Sequence, residues 1–363
     1  MPASDETSIN ELTIREPDDW HLHLRDDEMM SLIAHFTARQ FSRAIIMPNL
    51  VPPVTTVEAA EAYRERIINV LPEGHRFTPL MTAYLTDEIV ADEIARGHAD
   101  GVFTACKLYP AGATTNSAFG VTDVRKINRV LERMQKIDIP LLVHGEVASP
   151  DIDIFDREAV FLEQVLSPMR NNFPELRIVL EHITTSDSVD FVMESDVNMA
   201  ATITPHHLRI DRNALFDGGM RPHAYCLPVA KRSHHRVALR QAAISGNPKF
   251  FLGTDSAPHP RKDKESDCGC AGIFCAPVAL ESYALTFDEE GALDRLEGFA
   301  SEFGPRFYNL PLNDGRITLK RETFKVLETV SDGDLSVVPF HAGETLSWRA
   351  ADRLASPMPV DNN

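Results

Sequence analysis

The chain has 363 residues, a formal net charge of −18 and a hydrophobic content of 43%. This composition is typical of a globular protein with a large core, and the acidic excess argues against nucleic acid or an anionic membrane as the main partner. No apolar run approaches the roughly 20 residues of a membrane span, and the first six residues lack the features of a signal peptide. Because the five cysteines are an odd number, we expect reduced thiols and a cytoplasmic location.

Short apolar segments alternate with amphipathic ones along most of the chain. The predicted strands are residues 11–24, 43–48, 78–85, 101–108, 140–144, 176–182, 199–204 and 249–253. Helical spacing of apolar residues marks 56–70 and 121–137. Apolar strands that alternate with helices indicate a parallel sheet covered by helices. Eight such strands predict an α/β fold, a (β/α)₈ TIM-like barrel with its active site at the C-terminal ends of the strands.

The remaining segments fit one domain. We find no interdomain linker, so residues 1–363 are predicted to form a single barrel domain with frayed tails at 1–10 and 356–363. The interval 205–248 is long for one crossover and is expected to carry an insertion near the active-site end. Residues after 277 are predicted to form further helices, followed by a strand-like stretch at 335–340.

Polar side chains with metal-binding chemistry lie at several of these strand ends. His21 and His23 would share one face of the first strand, since residues i and i+2 of a strand point the same way. The other strand ends contribute Asn49, Lys107, His144, His182, Asp255 and His259. His144 or His182 alone would be read as a hydrogen-bonded interior histidine. Together with the others, they favour a catalytic metal site, because imidazole and carboxylate are ligands of zinc.

Lys107 is the exception within this set. An ammonium group cannot ligate a cation, whereas a carbamate formed from its amine and CO₂ would be an anionic bridge between two metals. An anion-binding or salt-bridging lysine is the alternative, and position alone leaves the two interpretations equal.

The flanking sequences extend this pattern to nearly the whole chain, from about residue 12 to residue 348. The order of ligands resembles the amidohydrolase superfamily, and the motifs resemble dihydroorotases of the short, stand-alone bacterial type. The matching segments are DWHLHLRD (19–26), MPNL (47–50), KLYP (107–110), ATTNS (113–117), VHGE (143–146), EHITT (181–185), GTDSAPH (253–259) and CGCAG (268–272).

The resemblance implies two zinc ions per chain. His21, His23 and Asp255 would hold one zinc and His144 with His182 the other, and Lys107, as N6-carboxylysine, would bridge them together with a hydroxide. The implied reaction is the reversible cyclisation of N-carbamoyl-L-aspartate to L-dihydroorotate in de novo pyrimidine (UMP) biosynthesis. In hydrolysis the hydroxide attacks the ring amide while Asp255 acts as general acid and base.

The resemblance also assigns the substrate-binding residues. Arg25 would grip the substrate carboxylate by paired, charge-assisted hydrogen bonds, although a surface salt bridge to Asp26 or Asp27 is the alternative from the residues alone. By the resemblance, Asn49 and His259 help Arg25 to bind the carboxylate. The backbones of Leu227 and Ala271 would recognise the ring. Thr114 and Thr115 would donate hydroxyl hydrogen bonds from a mobile lid. A plain flexible connection is the alternative for that lid segment.

Other functions fit the residues less well. A hydantoinase or allantoinase would share the metal ligands but not Arg25, Asn49, His259 and the Thr-Thr segment. A catalytically silent assembly partner predicts a missing ligand, and none is missing. The expected partners are therefore the small-molecule substrate and, by the resemblance, a second copy of the chain in a homodimer.

Two further groups of residues are not predicted to bind metal. Cys268, Cys270 and Cys275 lack the paired spacing of a structural zinc site. The adjacent pairs His206-His207 and His234-His235 are expected to lie in solvated loops.

Overall fold

The computed structural model of the protein describes residues 9–267 and 269–353. The first predicted strand is two strands, β1 (Glu11–Arg15) and β2 (Asp18–Leu22). The prediction of one continuous strand is wrong because Glu16 and Pro17 separate them, and a proline has no N–H to donate to a sheet. β1 leaves the barrel to pair with a strand near the C-terminus, so β2 is the first barrel strand.

Eight parallel strands form the barrel and confirm the predicted fold class. They are β2, β3 (Arg43–Ile46), β4 (Thr78–Tyr84), β5 (Phe103–Leu108), β6 (Leu141–His144), β7 (Ile178–Glu181), β8 (Met199–Ile203) and β9 (Phe250–Leu252). Each strand pairs with its successor in the chain. Beyond β9, the backbone N–H of Asp255 donates to the carbonyl of His21 at 2.9 Å, and that of His23 donates to the carbonyl of Ser256 at 3.2 Å. These bonds bring the two ends of the sheet together.

Helices cover the outside of the barrel and occupy the predicted insertion. The α-helices are α1 (Asp27–Ala38), α2 (Val57–Val70), α3 (Ala91–Ala99), α4 (Asn128–Ile137), α5 (Arg157–Phe161), α6 (Ser167–Asn172), α7 (Ser186–Glu194), α8 (Pro205–Arg209), α9 (Ser233–Ile244), α10 (Arg261–Lys264), α11 (Ala279–Glu289) and α12 (Phe303–Phe307). Short 3₁₀ helices span Val124–Ile127, Arg212–Leu215, Pro222–Ala224, Ala276–Val278 and Leu293–Arg295, and π-helical turns span Leu162–Leu166 and Gly298–Glu302.

A small antiparallel sheet follows the barrel, which the sequence patterns do not predict beyond the stretch at 335–340. Its strands and the hairpins beside it are β10 (Arg316–Lys320), β11 (Phe324–Lys325), β12 (Val330–Asp332), β13 (Leu335–Val337), β14 (Thr345–Leu346) and β15 (Arg349–Ala350). β10 pairs with β1 and β15 in one three-stranded sheet. The N-terminal and C-terminal segments are thereby fastened together outside the barrel.

The hydrophobic core has two layers, one on each side of the barrel wall. The larger layer fills the space between strands and helices. The smaller one fills the barrel interior, where Trp20 stacks on Tyr308 with ring centroids 4.3 Å apart. This packing fills the part of the barrel away from the strand C-termini, and the candidate functional side chains lie at the other end.

The predicted frayed tails lie almost wholly outside the described residues. The carbonyls of Ile9 and Asn10 accept hydrogen bonds from Arg321, at 3.1 and 2.8 Å. Within residues 9–267 and 269–353, none of the helices combines the length and apolar character needed to cross a membrane.

Candidate metal centre

His21, His23 and Asp255 meet where the end of β2 lies beside the segment after β9. The Nε2 atoms of His21 and His23 are 3.2 Å apart. Asp255 Oδ1 lies 3.3 Å from the first and 3.2 Å from the second. Ligand atoms around a tetrahedral zinc ion are about 3.3 Å apart, because zinc–nitrogen and zinc–oxygen bonds are about 2.0–2.2 Å long. The spacing and the chemistry of these three atoms therefore fit one zinc ion.

The second nitrogen of His23 is held by Asn49. His23 Nδ1 lies 2.9 Å from Asn49 Oδ1, and an amide oxygen can only accept, so Nδ1 carries the proton and donates. This leaves the lone pair of Nε2 facing His21 and Asp255, as a metal ligand requires. Burial also lowers the pKa of His23 to about 4, which keeps the ring neutral. Asn49 thus has a second role that the sequence analysis did not predict.

His21 lies between two buried carboxylates. Burial lowers the pKa of His21, but the charges of Glu181 and Asp255 outweigh burial and raise it to about 9. His21 Nδ1 is 2.9 Å from Glu181 Oε1. The two carboxylates therefore attract a positive charge to this position, and a metal ion between them would take the place of the imidazole proton.

His144 and His182 form the other half of the candidate centre. Their ring centroids are 4.9 Å apart, and His182 is equally far from His21. His144 Nε2 lies 2.9 Å from Glu146 Oε2, an arrangement in which a carboxylate orients a ligating histidine through its other nitrogen. His182 Nδ1 is buried and has no hydrogen-bond partner among the described residues, and burial holds the pKa of His182 well below its usual range. An unpaired, neutral imidazole is what a metal ion would bind.

Three of the predicted site residues have a left-handed backbone. The φ angles are +59° for Arg25, +43° for His182 and +45° for Asp255. This conformation costs about 1–3 kcal/mol for a residue other than glycine and is concentrated at functional sites. Its effect here is to interrupt the alternation of the strand, so that Glu181 and His182, although adjacent, both reach the mouth of the barrel.

Lys107 lies at the end of β5 and is fully buried. Its Nζ donates to a carboxylate oxygen of Glu181 and sits 4.5 Å from the centre of the Tyr109 ring. Burial lowers the pKa of Lys107, against the opposing charge of Glu181. A buried amine with a lowered pKa reacts more readily with CO₂, because the neutral form is the nucleophile.

Arg25 points into the same cavity. It does not form the alternative predicted for it, a surface salt bridge to Asp26 or Asp27. Its Nε donates to the carbonyl of Pro258 at 3.0 Å, and its Nη2 lies 3.0 Å from His259 Nε2. Asp26 is instead paired with Arg66. Burial, with the Arg25 charge next to it, lowers the pKa of His259 to about 3, so Arg25 is the cation of this pair.

The segment that carries Thr114 and Thr115 lies over the cavity. Asn49 Nδ2 donates to the carbonyl of Thr115 at 3.1 Å, and Thr115 Oγ1 donates to the carbonyl of Ala271 at 3.4 Å. The backbone of Ala111 donates to the carbonyl of Val121 at 3.0 Å and closes the base of the segment. Asn116 adds two further bonds, since its Nδ2 donates to the carbonyl of Asn49 at 3.0 Å and its carbonyl accepts from Tyr84 at 3.2 Å. This is the covering position expected of a lid.

The cavity unites most of the predicted residues. It is lined by His21, His23, Arg25, Asn49, Tyr109, Thr114, Thr115, His144, His182, Leu227, Asp255, Ala257, Ala271 and Gly272. Lys107 and His259 lie beside it through the contacts given above. Sequence reasoning assigned no role to Glu146, Glu181 and Tyr109, although all three stand in the motifs. Strand alternation gives a signal for Glu181, because it shares its face of β7 with Val179 of the barrel interior.

The prediction for His206 and His207 is wrong. Both lie in α8 and are buried, with 0% and 2% exposure. A proline at the first helical position and Thr204 as N-cap start a helix there. His234 and His235 are likewise helical, in α9, with His234 exposed and His235 half-buried. Cys268 lies outside the described residues, and Cys275 is buried and donates to the carbonyl of Thr254 at 3.2 Å.

Comparison with known proteins agrees with the geometry. The model of the amidohydrolase family matches residues 18–323. A dihydroorotase from Synechococcus sp. (strain RCC307) is 65% identical over 343 residues, covering 94% of this chain and 99% of that protein. The chain belongs to the dihydroorotases of the amidohydrolase family. It is therefore a hydrolase that acts on a cyclic amide, and its family implies a bound metal.

Solved structures extend the comparison. The enzyme is similar to the Saccharomyces cerevisiae dihydroorotase in complex with 5-fluoroorotic acid, with a TM-score of 0.89 and 33% identity over 95% of this chain and 99% of that one. It also shares its fold with an L-hydantoinase from Arthrobacter aurescens, with a TM-score of 0.78 and 15% identity over 94% of this chain and 84% of that one. The second likeness concerns the fold alone.

Replacing Glu146 by Gln will weaken metal binding by about 10- to 100-fold, the usual effect of removing the partner that orients a ligating histidine. The amide keeps the size of the side chain but loses its charge. Metal affinity measured by competition with a chelator checks this. Glu132→Gln is the matched control, because Glu132 is exposed and pairs with Lys136 at 2.8 Å. Equal affinities for the two variants would contradict the role of Glu146.

Proposed function

We propose that this enzyme catalyses the reversible cyclisation of N-carbamoyl-L-aspartate to L-dihydroorotate in pyrimidine biosynthesis. The observation that carries the proposal is the position of Arg25, a half-buried guanidinium that lines the same cavity as the candidate histidine and aspartate ligands. A fixed cation beside a metal centre suits a substrate in which a carboxylate is attached to the ring that opens and closes.

We assign the metal ligands as the sequence predicted them. His21, His23 and Asp255 would hold one zinc ion, and His144 and His182 the other. Lys107, carboxylated on its amine, would bridge the two. Bound there, the ions supply a Lewis acid for the amide oxygen and a water of lowered pKa.

Asp255 is the proposed proton carrier. Its Oδ1 faces the two histidines of β2, which leaves Oδ2 for proton transfer. In hydrolysis, Asp255 takes a proton from the attacking water and delivers it to the ring nitrogen as the amide bond breaks. In cyclisation it takes the proton of the attacking ureido nitrogen and delivers it to the carboxyl oxygen, which leaves as water with a second proton from solvent. Burial raises the pKa of Asp255, but the neighbouring His21 outweighs this and holds it well below its usual range, so the carboxylate is in the ionised form that a proton acceptor requires.

The rest of the cavity would orient the ring. Arg25 binds the substrate carboxylate, with Asn49 and His259 beside it. The backbones of Leu227 and Ala271 read the ring amides. Thr114 and Thr115 donate hydroxyl hydrogen bonds when their segment covers the substrate, which also excludes water.

Hydrolysis of a hydantoin or of allantoin is the competing activity, and it needs the metal ligands but not the Arg25 cation. The test compares the native enzyme on dihydroorotate, on hydantoin and on allantoin, together with its metal content. We expect about two metal ions per chain at the candidate centre and turnover of dihydroorotate, but not of hydantoin or allantoin. An enzyme that binds metal and opens hydantoin but ignores dihydroorotate would overturn the proposal.

Replacing Lys107 by Ala will lower the metal content by at least one ion per chain, because the carboxylate that bridges the two ions of the candidate centre is lost. The measurement is elemental analysis after dialysis. Lys136→Ala is the control, since Lys136 is an exposed residue of α4 whose partner is Glu132. Retention of both metals by the Lys107 variant would show that the lysine does not bridge them.

The homodimer and the cytoplasmic location stay predictions. Sedimentation of the native enzyme tests the first.

A further inference from the structure

A second cluster of potential metal ligands lies apart from the candidate centre. His206, His207 and Cys226 each offer one ligand atom, and these three atoms lie within 4.8 Å of one another. All three side chains are at most 2% exposed. α8 supplies the two histidines, and the segment after the 3₁₀ helix Pro222–Ala224 supplies the cysteine.

The atoms on one side of this cluster are already spaced as metal ligands. Cys226 Sγ lies 3.5 Å from His207 Nε2. With zinc–sulfur and zinc–nitrogen bonds of about 2.3 and 2.0–2.1 Å, two such ligands of a tetrahedral ion are about 3.5 Å apart. The carbonyl oxygen of Pro228 lies 3.0 Å from the same nitrogen and 3.3 Å from the same sulfur. Three atoms that bear lone pairs thus face one point.

His207 has two possible states in this setting. Its Nδ1 lies 2.8 Å from Thr204 Oγ1. If Nδ1 carries the proton and donates to that hydroxyl, Nε2 presents its lone pair to the sulfur and to the Pro228 carbonyl. If Nε2 carries the proton, it donates to Pro228 and the ring is satisfied without an ion. His207 alone therefore does not decide between an ion and an ordinary buried histidine.

The environment of His206 favours a bound ion over a pair of ordinary buried histidines. It is 0% exposed, and neither of its ring nitrogens has a hydrogen-bond partner within the described residues. A buried polar group without a hydrogen-bond partner destabilises the fold, and a metal ion bound by one of these nitrogens would remove part of that cost. Its ring centroid is 4.5 Å from that of His207, so a small side-chain movement brings one nitrogen to the ion.

We propose that His206, His207 and Cys226 bind a further transition-metal ion of the zinc type, separate from the candidate centre. Two imidazoles and one thiolate are a donor set that selects zinc-like ions over magnesium or calcium. On binding, the Cys226 thiol loses its proton to solvent and its sulfur bonds to the metal, with no change in oxidation state. Burial raises the pKa of the Cys226 thiol to about 12, against the opposing charges of Lys264 and Lys231, so the proton leaves only as the sulfur bonds to the metal.

The consequence of this site is to fasten α8 to the segment that contains Leu227. Leu227 lines the catalytic cavity and directly follows Cys226. An ion at Cys226 would hold this part of the cavity wall in place. This consequence, unlike the metal site itself, rests on the proposed function.

The test replaces the metals of the full-length enzyme with Co²⁺ and records the near-ultraviolet spectrum and the cobalt content. The candidate centre offers only nitrogen and oxygen, so a thiolate-to-cobalt charge-transfer band reports the new site alone. We expect the band and about three cobalt ions per chain in the native enzyme. Cys226→Ser will lose the band and one equivalent, and Cys270→Ser, a change at a half-buried cysteine of another loop, will keep both.

The native spectrum keeps the proposal testable even if the Cys226 variant does not fold, and His206→Gln is expected to lose the same equivalent with the thiol intact. A cobalt enzyme without the band, a band that survives in Cys226→Ser, or one lost in Cys270→Ser would overturn the site. Turnover of dihydroorotate is scored separately. Activity without the band refutes only this site, and the band without activity refutes only the proposed function.

Discussion

Replacing Asp255 by Asn will lower kcat by about 10³-fold or more. Proton transfer by a positioned carboxylate contributes about 10²–10⁴-fold to a rate, and the amide removes this group while it also weakens a metal ligand. The isosteric side chain leaves the shape of the cavity unchanged. Steady-state hydrolysis of dihydroorotate measures the effect, with metal content determined on the same samples.

The control separates chemistry from folding and metal loss. Asp123→Asn changes an exposed carboxylate that pairs with Arg125, and we expect it to keep native activity. If the Asp255 variant binds two metals and retains kcat within tenfold of native, the residue is a ligand but not the proton carrier. If it loses metal, kcat measured at saturating metal gives the remaining effect.

The sequence predicts that the candidate metal ligands lie close together, because one rule of the fold places them. In a parallel barrel every strand delivers its last residues to the same end, so His21, Lys107, His144, His182 and Asp255 could be grouped without coordinates. Their family motifs then supply the roles. The structure brings these residues to one end of the barrel, with ligand-atom spacings that the sequence could not give.

The residues that orient the ligands were missed for a physical reason. Asn49 Oδ1 fixes the tautomer of His23 across 26 positions in sequence, and Glu181 reaches His21 from the opposite side of the barrel. Such contacts depend on how the side chains of residues that are close in space, but distant in sequence, are oriented. Neither hydrophobic periodicity nor the order of the motifs predicts which residues will touch. Glu146 differs, since it lies two residues from His144 on the same segment and could have been proposed as its partner.

Two other predictions are wrong because they rest only on residues that are neighbours in the sequence. The apolar run at 11–24 reads as one strand because only Pro17 interrupts it, and the partner of β1 lies some 300 residues away in β10. His206 and His207 are polar residues next to a proline, a pattern typical of exposed loops. Tertiary packing of α8 against α9 and α11 buries them instead.

Replacing Arg25 by Met will lower kcat/KM for dihydroorotate by about 10²–10³-fold, chiefly through KM. Removing one partner of a buried, hydrogen-bonded ion pair costs about 2–5 kcal/mol, and each factor of ten corresponds to about 1.4 kcal/mol. Methionine keeps the length and apolar stem of the side chain but not its charge. Arg25→Lys restores the charge without the planar fork, so it will recover only part of the loss.

A substrate without the carboxylate distinguishes recognition from general damage. Dihydrouracil has the same ring amides as dihydroorotate but offers no anion to Arg25. We expect its slow hydrolysis by the native enzyme to be unchanged in Arg25→Met, so that the ratio of kcat/KM for the two compounds falls by the full 10²–10³-fold. Equal losses on both compounds would mean that Arg25 supports the metal centre or the lid, and the carboxylate would then need another binding group. Burial, the largest cause of the lowered pKa of His259, persists in Arg25→Met, so His259 is a poor replacement for the missing charge.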